Sequence, residues 1–211
     1  MKRLVPIISI VCVCFLYTSK QTIQAQDDPL KFGARVHGGF ATTQVHGDQI
    51  SGFNKFGFTA GASVDLNRRA NAGIQFGMFL TQKGSRKVPD TKNGDYNTWS
   101  YRFTYIDLPL MRTWDTKDWR LSIGVQPSIL VRGEEDFIGG GFTELTYLEL
   151  LPVDVGAVAA AGWKFNPLLS LEVRLSQSLM PISERPDQPI PRWNNFMMNM
   201  AIQWMVTFSF S

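Results

Sequence analysis

Cysteine is nearly absent: the 211 residues hold two, Cys12 and Cys14, both near the start. The rest of the chain therefore has no thiol, which excludes a disulfide framework and a thiolate metal site. A lipoprotein signal needs a small residue before its cysteine, and Val11 and Val13 stand there instead, so no lipid anchor is expected. Histidine is just as scarce, at two residues, His37 and His46. Beyond the first residues there is no apolar run of the ~20 residues that a membrane helix requires. If this chain crosses a membrane, it crosses as strands. Neither sign of charge dominates, with 21 Lys and Arg against 18 Asp and Glu. Lys2, Arg3 and Lys20 lie in the N-terminal segment, so the remainder balances at 18 against 18, which argues against a nucleic-acid partner.

The N-terminal segment reads as a secretory signal. Lys2 and Arg3 form a basic start, Leu4 to Tyr17 is almost wholly apolar, and a polar stretch ends in Ile23-Gln24-Ala25-Gln26. A small residue at Ala25 suits signal peptidase, and the apolar run is too short to span a bilayer. Residues 1–25 are thus expected to be a cleaved signal peptide. Residues 26–211, roughly 185 in number, suffice for one domain.

What that domain has in abundance is alternation of period two, which sends successive side chains to opposite faces of a strand. Phe56, Phe58, Ala60, Ala62, Val64 and Leu66 alternate with Gly57, Thr59, Gly61, Ser63 and Asp65. Phe196 through Phe210 repeats the pattern, as do Trp119–Val131 and Pro152–Phe165. Weaker versions occupy 30–42, 71–83, 100–114 and 168–179. The reading is eight strands of roughly 11–15 residues, whereas membrane strands need about 9–11 and soluble ones average about 5–6. Short connections at Asn67-Arg68-Arg69, Asp115–Asp118 and Asn166-Pro167 alternate with long ones at 44–54, 85–99, 132–150 and 180–195. That is the connectivity of an antiparallel up-and-down transmembrane β-barrel with periplasmic turns, extracellular loops and both termini in the periplasm.

The non-apolar face combines glycine with scattered charge: Arg35, His37, Asp65, Asp107, Arg120, Asp154, Lys164, Glu172 and Arg174. Paired charges among small residues suit a narrow lumen. A soluble barrel would carry denser long charged side chains on that face. Aromatics gather where the two bilayer interfaces would fall, Trp114, Trp119, Trp163, Phe165 and Phe208 at the turn end, and Phe53, Phe56, Trp99, Tyr101, Trp193 and Phe196 at the loop end.

Tyr105-Ile106-Asp107-Leu108-Pro109-Leu110-Met111 resembles the "YLEIPLLL" element of the PorT-like outer-membrane β-barrel family of Bacteroidota, with Asp107 in place of the usual glutamate. The strand from Gly73 ends in Thr81-Gln82-Lys83-Gly84, similar to that family's "KG" before a loop, and Phe56 to Val64 resembles its glycine-rich early strands. The resemblance implies an outer-membrane barrel of Bacteroidota, a family in which some members belong to protein secretion machinery.

Candidate sites follow from the two faces. Asp107 points into the lumen and needs a partner there, and Arg35, Arg120, Lys164 and Arg174 are the cations considered. A structural network of Asp107, Asp154 and Glu172 with Arg35 and Arg174 is expected to fill the lumen. In the third long loop, Glu134, Glu135, Asp136, Phe137 and Phe142 are candidates for contact with a cation, a basic partner or a glycan. On the sixth strand Ala157, Ala159 and Ala161 make a small-residue wall that another membrane element can approach closely. The expected partners are outer-membrane lipid and another envelope protein, met through the loops or this wall. No cofactor, metal or catalytic motif is present. His46 with Asp48 and Ser51 is the arrangement a lipid-modifying enzyme would need. The expected role is structural, accessory or interacting, with secretion machinery as a candidate context. A lipid enzyme, a narrow pore and a soluble ligand-binding barrel are the alternatives.

Overall fold

The computed structural model describes residues 31–48, 50, 52–69, 71–89, 91–94, 96–137, 139–145, 148–184 and 196–210. The expected signal peptide and its cleavage site lie outside this set. So do Ser51 and Trp193. No described helix is long and apolar enough to cross a membrane.

Eight long strands form the molecule: β1 (Lys31–His46), β2 (Lys55–Arg69), β3 (Ala72–Lys83), β4 in two runs (Trp99–Asp107 and Leu110–Asp115), β5 (Trp119–Phe137), β6 (Val153–Lys164), β7 (Leu169–Ser178) and β8 (Phe196–Phe210). Each pairs antiparallel with its neighbours in sequence, and β1 pairs with β8 from Ala34↔Phe210 to His46↔Met198. The sheet is therefore a closed ring with no free edge. The two runs of β4 flank Leu108-Pro109. Pro109 has no N–H to donate, but its carbonyl accepts from Gly77 N at 3.0 Å and Leu108 N donates to Pro127 O at 2.8 Å, which carries the ladder across the gap.

The expected faces are the observed ones. Phe40, Phe58, Phe76, Leu121, Ile123 and Trp204 point outward and are 40% to 56% exposed. His37, Ser63, Asp65, Gln75, Asp107, Arg120, Asp154, Glu172, Arg174 and Gln203 are buried inside the ring. Outside, Trp119 stacks on Trp163 with centroids 6.2 Å apart, and Phe165 lies 5.1 Å from Trp163. These rings form a belt at the short-turn end, where a bilayer boundary would lie. At the other end Phe56, 67% exposed, holds the matching position.

One boundary and one facing differ from the expectation. β5 does not stop near Val131 but runs on to Phe137, pairing with the start of β4 (Trp99↔Phe137, Arg102↔Glu134) after a bulge opposite Thr104 and Tyr105. The bulge adds a residue and restores pairing beyond it. Tyr101 is not in an outward belt. It is buried in the ring with Phe103 and Tyr105, because all three share the parity of Asp107.

Glycine sets how tightly the ring closes. A Cβ on Gly61 would sit 2.3 Å from the Met78 carbonyl oxygen and 2.6 Å from Phe79 Cδ1, and one on Gly77 would sit 2.5 Å from Phe79 Cε2. These two positions make the space that the inward Phe79 ring occupies. Gly61→Val should force β2 and β3 apart and cost about 1–3 kcal/mol, as overpacking does. The urea midpoint of the barrel refolded in lipid vesicles measures it.

Candidate functional site

The lumen is filled in layers. Nearest the short turns, Arg35 Nε and Arg120 Nη1 both reach Asp65 Oδ2 at 2.7 Å. Arg120 Nε and Nη2 also donate to the two oxygens of Asp115 at 2.9 and 2.7 Å, a bidentate grip. Lys164 Nζ lies 2.6 Å from Asp115 Oδ1. Five alternating charges thus run across the barrel from β1 through β2, β5 and β4 to β6, beside a cavity of about 370 Å³ that also touches Glu172.

In the middle layer, the His37 ring nitrogens lie 2.8 Å from Thr207 Oγ1 and 2.8 Å from Ser63 Oγ. Gln75 Nε2 donates to the same Ser63 hydroxyl at 2.9 Å. Arg174 Nη2 donates to Glu172 Oε1 at 2.7 Å, and its guanidinium lies 4.2 Å from the centroid of the Phe79 ring. Arg174 is 1% exposed. Above it Lys83 Nζ donates to Asp107 Oδ1 at 2.8 Å and rides 4.7 Å over the Tyr105 ring. Asp154 accepts from Ser178 Oγ at 2.7 Å and from Asn199 Nδ2 at 3.3 Å.

The top layer is apolar. Val45, Tyr101, Phe103, Tyr105, Ile182 and Met197 pack together inside the long-loop end. Leu145, Leu148 and Leu150 of the third loop fold down on them. Backbone bonds fasten this lid, Leu145 N to Gly133 O at 3.1 Å and Leu151 N to Ile182 O at 2.8 Å.

Of the five residues expected to form one lumenal network, Arg35, Glu172 and Arg174 are brought within electrostatic reach of one another, and Asp107 and Asp154 are placed apart with other partners. Glu172 and Arg174 are brought together. Arg35 is engaged with Asp65, Asp154 is held by neutral donors, and Asp107 takes Lys83, a cation left out of the sequence reading. Its signal was available: Lys83 shares the parity of Gly77 and Thr81 on β3, so it points inward. Charge pairs form between inward groups at matching height, on neighbouring strands, across the bore or along one strand, and sequence parity alone gives no height.

The third-loop candidates are also placed differently from a solvated acidic loop. Glu134, Glu135 and Asp136 belong to the extension of β5. Glu134 Oε2 accepts from Arg102 Nε at 2.7 Å, and Arg132 Nε is 3.5 Å from its other oxygen. The Arg102 guanidinium holds that carboxyl below the usual carboxylate range. Glu135 is buried. Phe137 lies against Trp99 at 4.5 Å, and the Phe142 ring sits 3.8 Å from the Arg102 guanidinium carbon and 4.6 Å from Lys55 Nζ. The acids are thus tied to a basic, aromatic rim. Of the enzyme arrangement, His46 is exposed at the end of β1 and Asp48 is buried, accepting from Ile50 N at 2.8 Å. Ala157 and Ala159 are exposed on the outer wall, with Ala159 between Ile123 of β5 and Leu175 of β7. Among the described residues no group of three His, Asp or Glu is placed to hold a metal ion.

Residues 24–184 match the family described as outer membrane protein beta-barrel domain. This chain belongs to that family. Comparison with curated proteins by sequence finds no match. Among solved structures, the chain is similar to the attachment invasion locus protein Ail of Yersinia pestis, crystallised with the heparin analogue sucrose octasulfate. That similarity has a TM-score of 0.50 at 10% identity, over 85% of this chain and 99% of Ail. Neisserial surface protein A is similar at a TM-score of 0.48 and 12% identity, over 87% of this chain and all of its own length (100%). At such identities the Ail likeness speaks to the fold, a small outer-membrane barrel, and to nothing finer.

For this outer-membrane barrel, breaking the Lys83–Asp107 pair from one side leaves a buried charge alone. Asp107→Ala and Lys83→Met should each destabilise by about 3–5 kcal/mol, while the double variant recovers most of the loss. Unfolding free energies in detergent micelles, combined in a double-mutant cycle, test this.

Proposed function

We propose that this chain is an accessory outer-membrane barrel that works by contact through its long-loop end and outer wall, with both termini in the periplasm after removal of residues 1–25. The observation that carries the reading is the filled interior. Eight strands leave room for little more than side chains, and here Arg174, Phe79, Tyr105 and Met205, all buried, occupy it under a lid of Leu145, Leu148 and Leu150. A pore needs an open path, and a lipid enzyme needs a base beside its nucleophile. The features that remain for function are on the outside: the basic, aromatic rim and the Ala157–Ala159 wall. An envelope partner such as a component of secretion machinery fits those surfaces, in keeping with the PorT-like element at Tyr105–Met111.

Planar bilayers with the refolded barrel should show no steady conductance; discrete long-lived openings would favour the pore. A mild-detergent pull-down from native membranes should retain an envelope protein, and a photocrosslinker at Ala159 or Phe137 should capture it. Capture of lipid alone at both positions would remove the contact role. Because residues 26–211 contain no cysteine, single cysteines at Gly140 and Lys117 report orientation. Only the first should react with an impermeant maleimide on intact cells.

A further inference from the structure

The rim holds a cationic site that the role above does not specify. Lys55, the first residue of β2, is 8% exposed, yet no carboxylate lies within ion-pair distance of its ammonium among the described residues. Burying an ammonium without a counter-charge is expensive, and the Phe142 ring at 4.6 Å offsets this only in part. Two further cations stand close. The Arg102 guanidinium carbon lies 3.8 Å from the centroid of the same ring, and Arg86 lines the same cavity, which measures about 280 Å³ and is bounded by Phe56, Trp99 and Phe142. Glu134 is taken up by Arg102. Asp136 also borders the cavity, with Oδ1 accepting from Gly141 N at 3.2 Å. Three cations thus face two carboxylates, and the cation most deeply buried, Lys55, is in none of the close ion pairs among the described residues, with Asp136 and Glu134 acting on it only at longer range.

The height of the cavity narrows the ligand. Its wall includes Phe56, an outward residue of the loop-end aromatic belt, so it opens at the border between hydrocarbon and water. Phosphates of lipid headgroups concentrate at that border. A phosphate has several oxygens to share between an ammonium and a guanidinium, the pairing in which both are strongest.

We propose that Lys55 and Arg86 form a binding site for the phosphate of a lipid headgroup in the leaflet facing the long loops, with Trp99 and Phe142 walling the group that carries it. The site deepens the contact role by naming lipid as one partner of the rim.

The full barrel without residues 1–25, in detergent micelles, is incubated with monophosphoryl lipid A or with the same lipid lacking its phosphate, and retained lipid is counted by native mass spectrometry. Micelles have no sidedness, so the result is independent of orientation and of the pull-down. The phosphorylated lipid should be retained at least about tenfold more strongly, and Lys55→Gln with Arg86→Gln should abolish that preference, since removing partners of a desolvated charge pair costs that much or more. Lys55→Arg, which keeps the charge, should retain it. Heat-modified mobility on gels shows that each variant is folded. Equal retention of the two lipids, or an unchanged preference in the double variant, would overturn the proposal. Inorganic phosphate competing as strongly as the lipid, mole for mole, would overturn the assignment to a headgroup.

Discussion

A strand in hydrocarbon has nowhere to place a backbone N–H except on another strand, and this chain meets that constraint through the ladder between β1 and β8. Its thirteen register partners, from Ala34↔Phe210 to His46↔Met198, turn a row of hairpins into a ring. Once the ring must close with eight strands its bore is narrow, and the rest follows from the bore. Inward positions on β1, β2 and β3 hold Gly39, Gly61 and Gly77: neighbouring backbone comes to where a Cβ would sit on Gly39 and Gly61, and the Phe79 ring does so at Gly77. The volume those glycines release is taken by a few large side chains, Phe79 and Arg174 foremost. Even the proline of β4 is tolerated only because the neighbouring strands supply a donor for its carbonyl and an acceptor for the preceding N–H.

Narrowness also decides the electrostatics. Charges enclosed by a hydrocarbon-facing wall are costly unless paired at short range. The barrel meets this with short-range pairs, Arg35 with Asp65 and Lys83 with Asp107 between neighbouring strands and Glu172 with Arg174 along β7. The shared oxygen of Asp65 and the bidentate Asp115 link the lowest layer across the mouth. Such pairs add little to net stability over an apolar filling, but those that join two strands fix the height of one against the other. In a sheet whose outer residues face uniform lipid, register is otherwise weakly marked.

The strands, their faces and the alternation of short and long connections are legible in the sequence, because period two survives whether the apolar side faces a core or a membrane. Arg174, His37 and Asp154 were legible as lumenal for the same reason. Pairing was not. Asp107 and Lys83 are neighbours because β3 and β4 lie side by side with Phe79 opposite Asp107, a register that no local pattern records. The inward aromatics Tyr101, Phe103 and Tyr105 were hidden by their chemistry, since an aromatic near a strand end reads equally well as a belt residue. The bulge in β5 concealed the rim in another way. It shifts the parity after Val131, so Glu134 and Asp136 looked like the start of a loop when they continue a strand.

The two ends of the lumen are built from opposite materials, and this bears on where activity can reside. The short-turn mouth is wet and ionic, while the long-loop mouth is shut by Val45, Phe103, Ile182 and three leucines of the third loop. An apolar stopper excludes water and ions more completely than a salt-bridge layer does, since ions and water can exchange with charged groups but gain nothing from leucine. Among the described residues, packing at the outer end sets the apolar cluster between the ionic interior and the rim. What the same construction does provide is a stiff rim: extending β4 and β5 holds Arg102, Trp99 and Phe137 in ladder register, with the Phe142 ring in contact with both Lys55 and Arg102. Side chains held on paired strands lose less entropy on binding than those on a free loop, so the filled lumen and the ordered rim are two results of one design. The barrel gives up its interior and gains a rigid surface at the membrane border.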